Sequence, residues 1–489
     1  MLYIVRLSGE IMTKSNPVSS RFQQQLRENI TTAFTQAGLS CTIRHFWGRI
    51  YVETTASKAT DILSRVFGIV SFSPVEANSE STIEDILQIG EEVYTPKVAN
   101  QTFGVRARHM RHPTLKGSLV ERELGAKLAG ASKGVNLTNP DLWVRVEVGK
   151  ESSYFYSQSF QGAGGLPVGT GGKVLVLLSG GFDSVAAAWM LLKRGVAVEY
   201  LLCNMSDKSY ERSVLRVAKK LHDLWGYGSA GKFHSVNFLG LSQVIVQKVT
   251  ERYRQVVLKR QFYGMACYLA KQVGAEAIVT GECIGQVSSQ TLANLAVIEN
   301  GCLFPVLRPL ISYDKLEIIN LCRKIGTHDL SESIPEFCSL VPRRPATSAK
   351  LDIILEEEAS LEDQRFEKTY QSCKTFDLAK LKSIDLSHPY VFCDSIPQGA
   401  IFIDCRTEEE FAVSHLDGAL HFPFYEAMDQ CLSLDRKKVY VIYCSIGQQS
   451  AVIANKMQEN NYRAFSLRGG YIDLDKNYPE SQKIKKQKR

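Results

Sequence analysis

The chain has 489 residues, 44% of them hydrophobic and 22% charged, with a formal net charge of +7. That length calls for three or four domains, and the ordinary globular composition excludes a wholly disordered chain. No apolar run approaches the roughly 20 residues a membrane-spanning helix needs, and residues 1–10 lack the basic-then-apolar order of a signal peptide. None of the 12 cysteines forms a Cys-x-x-Cys pair, which argues against a zinc ribbon or a thioredoxin-like couple. Individual thiols in a cytoplasmic protein are the expectation, and the positive balance permits a polyanionic partner.

Residues 1–76 read as strand, helix, two strands, helix, strand. Residues 3–7 are a short apolar strand, and Phe22, Leu26, Ile30, Ala33 and Phe34 recur at helical spacing over 20–37. Residues 41–54 read as two strands broken near Trp47-Gly48, 56–67 as a second helix and 70–75 as the closing strand. That order predicts a ferredoxin-like domain. Residues 77–165 form a second domain. Ser81 with Glu84 predicts a capping box opening a helix through Glu92. Residues 101–110 alternate, with Phe103, Val105 and Ala107 on one face and Arg106 and Arg108 on the other. Ser118 with Glu121 predicts another helix start, and 142–148 a strand. Lys97, Arg106, Arg108, Arg111, Lys116, Arg122, Lys127 and Lys133 are opposed only by Glu121 and Glu123, a local basic excess.

Residues 162–173 hold six glycines in twelve positions and read as a hinge. Lys173 is followed by Val174, not Ser or Thr, so the segment is not a Walker loop. Over 173–350 strands (173–178, 197–203, 232–238, 275–281) alternate with helices from Ser184, Tyr210 and Leu241, the pattern of a parallel sheet covered on both faces. Residues 351–390 read as a charged helical connector. Residues 395–489 read as a smaller α/β domain, its basic tail, 483–489, without fixed structure.

The strongest chemical signal is Ser179-Gly180-Gly181-Phe182-Asp183-Ser184, between an apolar strand and a helix. Glycines let the backbone bend around an anion, and a helix start offers unpaired N–H groups at the positive end of its dipole. No lysine is present to reach a terminal phosphate. Such a loop suits attack at an α-phosphate with pyrophosphate leaving; an ordinary glycine turn is the competing reading. A second signal is Cys444. It ends the strand 439–443, before Ser445-Ile446-Gly447-Gln448-Gln449-Ser450 and a helix, so backbone N–H groups would surround its sulfur and favour a thiolate or persulfide.

The hexapeptide resembles the PP-loop of ATP pyrophosphatases, and the match sharpens to the tRNA 4-thiouridine synthetases, or tRNA sulfurtransferases. Val256-Val257-Leu258-Lys259-Arg260, the segment from Gly281 to Leu292, Arg308-Pro309-Leu310-Ile311 and Pro335-Glu336-Phe337-Cys338 carry the same resemblance, over essentially the full length. It implies a multidomain α/β fold: ferredoxin-like domain 1–76, THUMP RNA-binding domain 77–165, PP-loop adenylation domain 173–350 and rhodanese-like domain 395–489. It implies ATP contacts by Leu177, Leu178, Ser179, Gly180, Gly181, Ser184, Lys259, Gly281, Gln290 and Lys315, and Mg²⁺ held with the help of Asp183, without a cluster of protein metal ligands. Two positions depart from the family pattern: Cys203-Asn204-Met205-Ser206-Asp207 stands where many members have a glycine pair, and Cys283 where serine is usual.

The C-terminal unit resembles a rhodanese domain, closed by Leu467-Arg468-Gly469-Gly470-Tyr471. The resemblance makes Cys444 the persulfide carrier and Cys338 its partner in a redox disulfide formed during turnover. Ile446 and Gln448 stand in a loop where arginine is common, so either Arg468 or Arg406 supplies that charge or the loop is a weaker sulfur donor. Cys267, Cys302 and Cys322 read as structural thiols in apolar stretches. Arg106, Arg108, Arg111 and Lys116 are the expected phosphate contacts of the THUMP domain. The implied reaction is adenylation of O4 of the uridine at position 8 of a tRNA and its replacement by sulfur; either the terminal persulfide sulfur attacks C4 directly, or Cys338 first releases it as sulfide. The implied partners are tRNA, a cysteine desulfurase and, through a role in thiamine synthesis, a thiazole-pathway sulfur carrier protein. Another PP-loop tRNA thiolase, such as a 2-thiouridylase, and an RNA-binding sulfur-relay protein that does not adenylate remain as alternatives.

Overall fold

The computed structural model describes residues 1–46, 48–110, 115–205, 208–334, 344–359, 361, 369–381, 391–393, 396–474 and 486–488. The chain divides into two compact units, one of residues 1–172 with 191–197 and 224–229, the other of the remaining residues from 173 onward.

The first unit holds two sheets. Strands β1 (Leu2–Leu7), β2 (Thr42–Phe46), β3 (Arg49–Glu53) and β4 (Ile69–Pro74) lie in the order 4-1-3-2, antiparallel throughout. Helices Asn16–Gln36 and Ala59–Arg65 accompany this sheet, burying Phe22, Leu26, Ile30, Phe34 and Leu63 in its core. The second sheet runs β5 (Ala77–Glu80), β9 (Ser152–Tyr156), β8 (Leu142–Val148), β6 (Thr102–His109), β7 (Gly134–Val135). Strands β6 and β8 are parallel, a pairing that requires a crossover, and the helix Gly117–Ala129 lies within it. Strand β10 (Phe160–Gln161), too short to show a pattern in sequence, returns to pair with β4.

Both expected helix starts in this unit are displaced. Thr82, not Ser81, caps the helix Ile83–Val98 by accepting from the Asp85 N–H. Ser81 is buried, its hydroxyl 2.8 Å from that of Ser153, so it is engaged across the sheet. The helix also continues past Glu92 and through Pro96. The next helix begins at Gly117, and Glu121 accepts the backbone N–H of Ala107 at 3.0 Å instead of closing a capping box with Ser118.

In the second unit, β11 (Lys173–Leu177), β12 (Ala197–Asn204), β13 (Lys232–Asn237), β14 (Ala277–Val279), β15 (Val306–Leu307) and β16 (Lys374–Asp377) form a sheet in the order 15-14-11-12-13-16. Strand pairs β11/β14, β12/β13 and β14/β15 are parallel. The direction of winding reverses between β11 and β14, and open α/β sheets bind ligands outside the carboxyl ends of the strands at such a point. Leu175, Leu201, Val236 and Ile278 pack against Val257, Ala266 and Leu269 of helix Arg254–Val273. The connector is helical over Leu351–Ala359, but Lys374–Asp377 is an antiparallel edge strand on β13; residues 382–390 lie outside the described residues.

The C-terminal sheet is parallel: β19 (Leu420–His421), β17 (Ile401–Asp404), β20 (Val439–Tyr443), β21 (Arg463–Ser466). Two further strands, β18 (Ser414–Leu416) and β22 (Lys486–Lys488), pair antiparallel. Three residues of the tail are thus ordered against the sequence expectation; 483–485 and 489 lie outside the described residues. Among the described residues no helix is long and apolar enough to cross a membrane.

Candidate active sites

Strand β11 ends at Leu177, and residues 179–184 turn into helix Phe182–Lys193. Gly180 adopts φ +82°, a backbone conformation that favours glycine, and a Cβ there would press on the Ile334 and Val214 side chains at 3.2 Å. The turn is closed by its own serines: Ser184 donates to the Gly181 carbonyl at 3.1 Å and accepts from the Ser179 N–H at 3.3 Å. Leu177, Leu178, Ser179, Asp183 and Ser184 line a cavity of about 270 Å³ together with Lys259, Gly281 and Gln290. Gly181 sits in the turn, and Lys315 reaches it from helix Lys315–Ile325. Gly281 follows β14 and packs directly on the turn; a Cβ there would lie 2.4 Å from the Asp183 carbonyl carbon.

Charge around this cavity is organised by two carboxylates. Lys315 Nζ lies 2.9 and 3.1 Å from the two Asp183 oxygens, and Gln286 donates to Oδ2 at 2.9 Å. Glu282 is buried and receives Lys259 (2.9 Å), Arg308 (3.1 Å), the Tyr263 hydroxyl (2.6 Å) and the Thr280 hydroxyl (3.1 Å). Burial pushes the Glu282 carboxyl up, but Lys259, Tyr263 and Arg308 outweigh it and hold it at about 2. Lys259 is therefore set in place by an anion rather than left as a mobile surface cation. Sequence reasoning missed Glu282, Tyr263 and Arg308 as site residues, although Glu282 and Arg308 stand in the segments that carry the resemblance. Gln290 accepts the Cys283 N–H at 3.4 Å. Cys283 itself is buried, and burial followed by the Asp183 charge pushes its thiol up to about 11; it stays protonated. Cys203, at the other departure, is buried in the cavity wall.

Among the described residues, no three His, Cys, Asp or Glu side chains converge as a metal site. Two carboxylates, Asp183 and Glu282, line the cavity; Glu282 is enclosed by Lys259, Arg308 and two hydroxyls, and Asp183, bound only by Lys315 and Gln286, is the more open of the two. That donor set fits Mg²⁺ carried mainly by nucleotide phosphates and water, with one protein oxygen.

The second centre is Cys444, 2% exposed at the end of β20. The Gly447 N–H donates to its sulfur at 3.1 Å and the Ser450 hydroxyl lies at 3.6 Å. The neighbouring Cys405 thiol lowers its pKa most; burial opposes, and the Ser450 and Ile446 groups add to the lowering, giving about 5. These groups favour the anionic form of the sulfur. Its loop rests on the segment 467–471: a Cβ on Gly470 would lie 2.3 Å from the Cys444 carbonyl oxygen, and the Tyr471 N–H donates to that oxygen at 2.8 Å. Arg406 does not supply charge to this loop, contrary to one sequence expectation. It is bound to buried Asp404 at 2.6 Å and to the Ser414 carbonyl, and lies over the Tyr471 ring. Arg468 lies over Phe392 at 4.8 Å. Cys338 lies outside the described residues.

In the first unit, Arg106 and Arg108 are exposed on one face of β6, and Lys116 is exposed before the next helix. Arg106 stacks on Trp143 at 5.0 Å. Arg111 lies outside the described residues.

Known proteins carry the same parts in the same order. Residues 2–73 match the ThiI ferredoxin-like domain, 80–158 the THUMP domain, 169–362 the family described as Thiamine biosynthesis protein (ThiI), and 393–476 the rhodanese-like domain. A tRNA sulfurtransferase of Thermoplasma acidophilum is 34% identical over 98% of this chain and 97% of its own length. This chain belongs to the tRNA sulfurtransferase family. Further tRNA sulfurtransferases, of Desulfurococcus amylolyticus (36% identical, 96% of this chain, 97% of that one) and Shewanella woodyi (34%, 94% and 98%), agree. Among solved structures, a 4-thiouridine synthetase–RNA complex with bound ATP is similar at TM-score 0.68 and 31% identity, over 77% of this chain and 98% of that one. A Pyrococcus horikoshii protein is similar at TM-score 0.53 and 26% identity, over 66% and 99%.

Proposed function

We propose that this tRNA sulfurtransferase-family chain uses ATP to replace O4 of a uridine in tRNA, at position 8, with sulfur carried on Cys444. The observation that carries this reading is the coexistence in one chain of a glycine–serine strand-to-helix turn without a Walker lysine and a strand-end cysteine whose sulfur accepts the Gly447 N–H. Similarity to an RNA-bound, ATP-bound 4-thiouridine synthetase supports it.

In the first step the uracil oxygen attacks the α-phosphate of ATP, the bond to the outer phosphates breaks, and pyrophosphate leaves. The N–H groups of the 179–184 turn hold the anion, Lys315 and Lys259 offset its charge, and Asp183 is the carboxylate that would hold Mg²⁺, which when bound neutralises phosphate charge. Adenylation converts a poor leaving oxygen into AMP. In the second step the terminal sulfur of the Cys444 persulfide attacks C4 and AMP departs. A thiolate on Cys338 then attacks the Cys444 sulfur; the S–S bond to the base's sulfur breaks, leaving 4-thiouridine and a Cys338–Cys444 disulfide that an external thiol reduces. The persulfide comes from a cysteine desulfurase. The same Cys444 would serve a thiazole-pathway sulfur carrier protein, and Arg106, Arg108, Arg111 and Lys116 would contact tRNA phosphates.

The test is turnover of the purified chain with ATP, Mg²⁺, a cysteine desulfurase, cysteine and unmodified tRNA, read by mass spectrometry of the nucleosides. The expected product is 4-thiouridine. Formation of 2-thiouridine, or of no thiolated base, would remove this reading.

A further inference from the structure

A second cavity in the same unit, about 650 Å³, borders both chemical centres. Tyr210 lines this cleft and the nucleotide cavity alike, and its hydroxyl donates to the Ser179 carbonyl at 3.0 Å. Ile334, on the same wall, fills the space beside Gly180. The opposite wall is Ile446 and Gly447, and Gly447 holds the Cys444 sulfur through its N–H. An ion pair between Arg212 and Glu459, at 3.0 Å, ties the two walls together beside it.

The lining indicates what the cleft takes. Asn455 lies in its wall, 1% exposed, with neither carboxamide atom hydrogen-bonded. Buried amides without partners are rare and call for a group that completes them. One donor beside one acceptor matches a base edge. Arg216 and Arg468 bring two guanidinium groups, and Tyr210 and Phe392 two rings; single-stranded RNA is gripped by such rings and cations together. Fully exposed Asp329 and largely exposed Glu332 also border the cleft, which disfavours a dense polyanion and leaves room for a nucleotide-sized one. The volume is within the range of small-ligand pockets, about 300–1,000 Å³.

We propose that this cleft is the acceptor-nucleotide site: it receives the target pyrimidine nucleotide and its neighbour, with Asn455 pairing to a base edge and Arg216 and Arg468 contacting phosphates. This rests on the proposed sulfur transfer, in which the same base must meet an α-phosphate and then the Cys444 persulfide. Tyr210 forms the partition between the two steps.

The experiment uses the full chain and tRNA bearing 4-thiouridine at the modified position, irradiated with near-ultraviolet light, with the cross-linked peptide identified by mass spectrometry. Cross-links to residues 210–216, 446–455 or 468 are expected. Cross-links elsewhere, or none, in protein that thiolates tRNA would overturn the assignment while leaving the activity standing. In parallel, Asn455→Leu and Arg216→Ala should each lower kcat/KM for tRNA roughly tenfold, mainly through KM, with persulfide loading of Cys444 unchanged. If these variants instead impair loading by the desulfurase and leave tRNA kinetics intact, the cleft is a protein-docking face and the proposal fails. If the unaltered chain makes no thiolated nucleoside, the sulfur-transfer reading fails and the cleft assignment with it.

Discussion

Lys315 Nζ sits 2.9 Å from Oδ1 of Asp183, joining the start of one helix to the start of another. A lysine at the first position of a helix is disfavoured by the dipole; here the Asp183 carboxylate compensates it, and Asp314 fixes the helix start through a capping box with Glu317. The pair holds a cation and an anion at the mouth of the turn where phosphates would enter. Asp183→Asn and Lys315→Ala should each reduce tRNA-dependent pyrophosphate release about 100-fold or more, with tRNA affinity unchanged by filter binding. Near-normal release from either variant would remove that residue from the chemistry.

Cys444 should behave as an acid of about pKa 5, because the Cys405 thiol first, then Ser450 and the Ile446 backbone, stabilise its anion against burial. Alkylation of Cys444 by iodoacetamide, followed by peptide mass spectrometry, should be nearly independent of pH between about 6 and 8. A tenfold rise per pH unit there would mark an ordinary thiol. Cys267 is held up at about 12 by burial and by Cys302, whose sulfur lies 2.8 Å away, and Cys431 at about 12 by burial; both should stay unmodified. The linkage has a definite sign. The folded state binds fewer protons than the unfolded one between about 5 and 8.5, so this group adds stability as pH rises through that window.

Strong periodicity and strand–turn–helix order made the architecture legible. The helix over 20–37, the alternation in 101–110 and the strands at 173, 197 and 232 all reappear within a few residues. What was illegible depends on partners distant in sequence. Nothing local distinguishes Ser81 from Thr82 as a cap; the hydroxyl of Ser153 does. Nothing near Lys374–Asp377 announces a strand, because its hydrogen-bonding partner is β13, more than a hundred residues earlier. Asp183, in the first turn of the helix after β11, and Cys444, just past the end of β20, stand at strand-to-helix junctions that sequence order alone exposes. Glu282 emerges only when Lys259, Tyr263 and Arg308 are brought around it.

That convergence makes Glu282 a stability determinant. Glu282→Ala leaves Lys259 and Arg308 without their shared anion, and breaking a buried pair from one side costs about 3–5 kcal/mol. Urea unfolding should show a loss of that order. Glu282→Gln, which keeps the shape, should lose less but should also flatten the acid limb. The carboxyl is depressed to about 2, so its contribution is fully present above the ordinary value near 4.3 and disappears as pH falls toward 2. An unchanged acid limb in Glu282→Gln would show that the cluster does not couple to protonation.

Gly281→Ala tests whether the nucleotide turn is set from outside itself. The added Cβ would lie 2.4 Å from the Asp183 carbonyl carbon and 2.6 Å from the Ser184 nitrogen, contacts that backbone atoms can relieve only by moving. Strand β14 already ends at Val279, so the sheet can persist while the turn is displaced. Overpacking of this kind costs about 1–3 kcal/mol, below the stability of a typical domain, and the protein should remain folded by circular dichroism. ATP affinity measured by calorimetry should fall at least about tenfold, the equivalent of 1.4 kcal/mol, while persulfide loading of Cys444 stays intact, since that loop is supported by residues 467–471. Unaltered ATP binding in a folded Gly281→Ala protein would mean that the turn tolerates displacement and that its grip on phosphate is made by other groups.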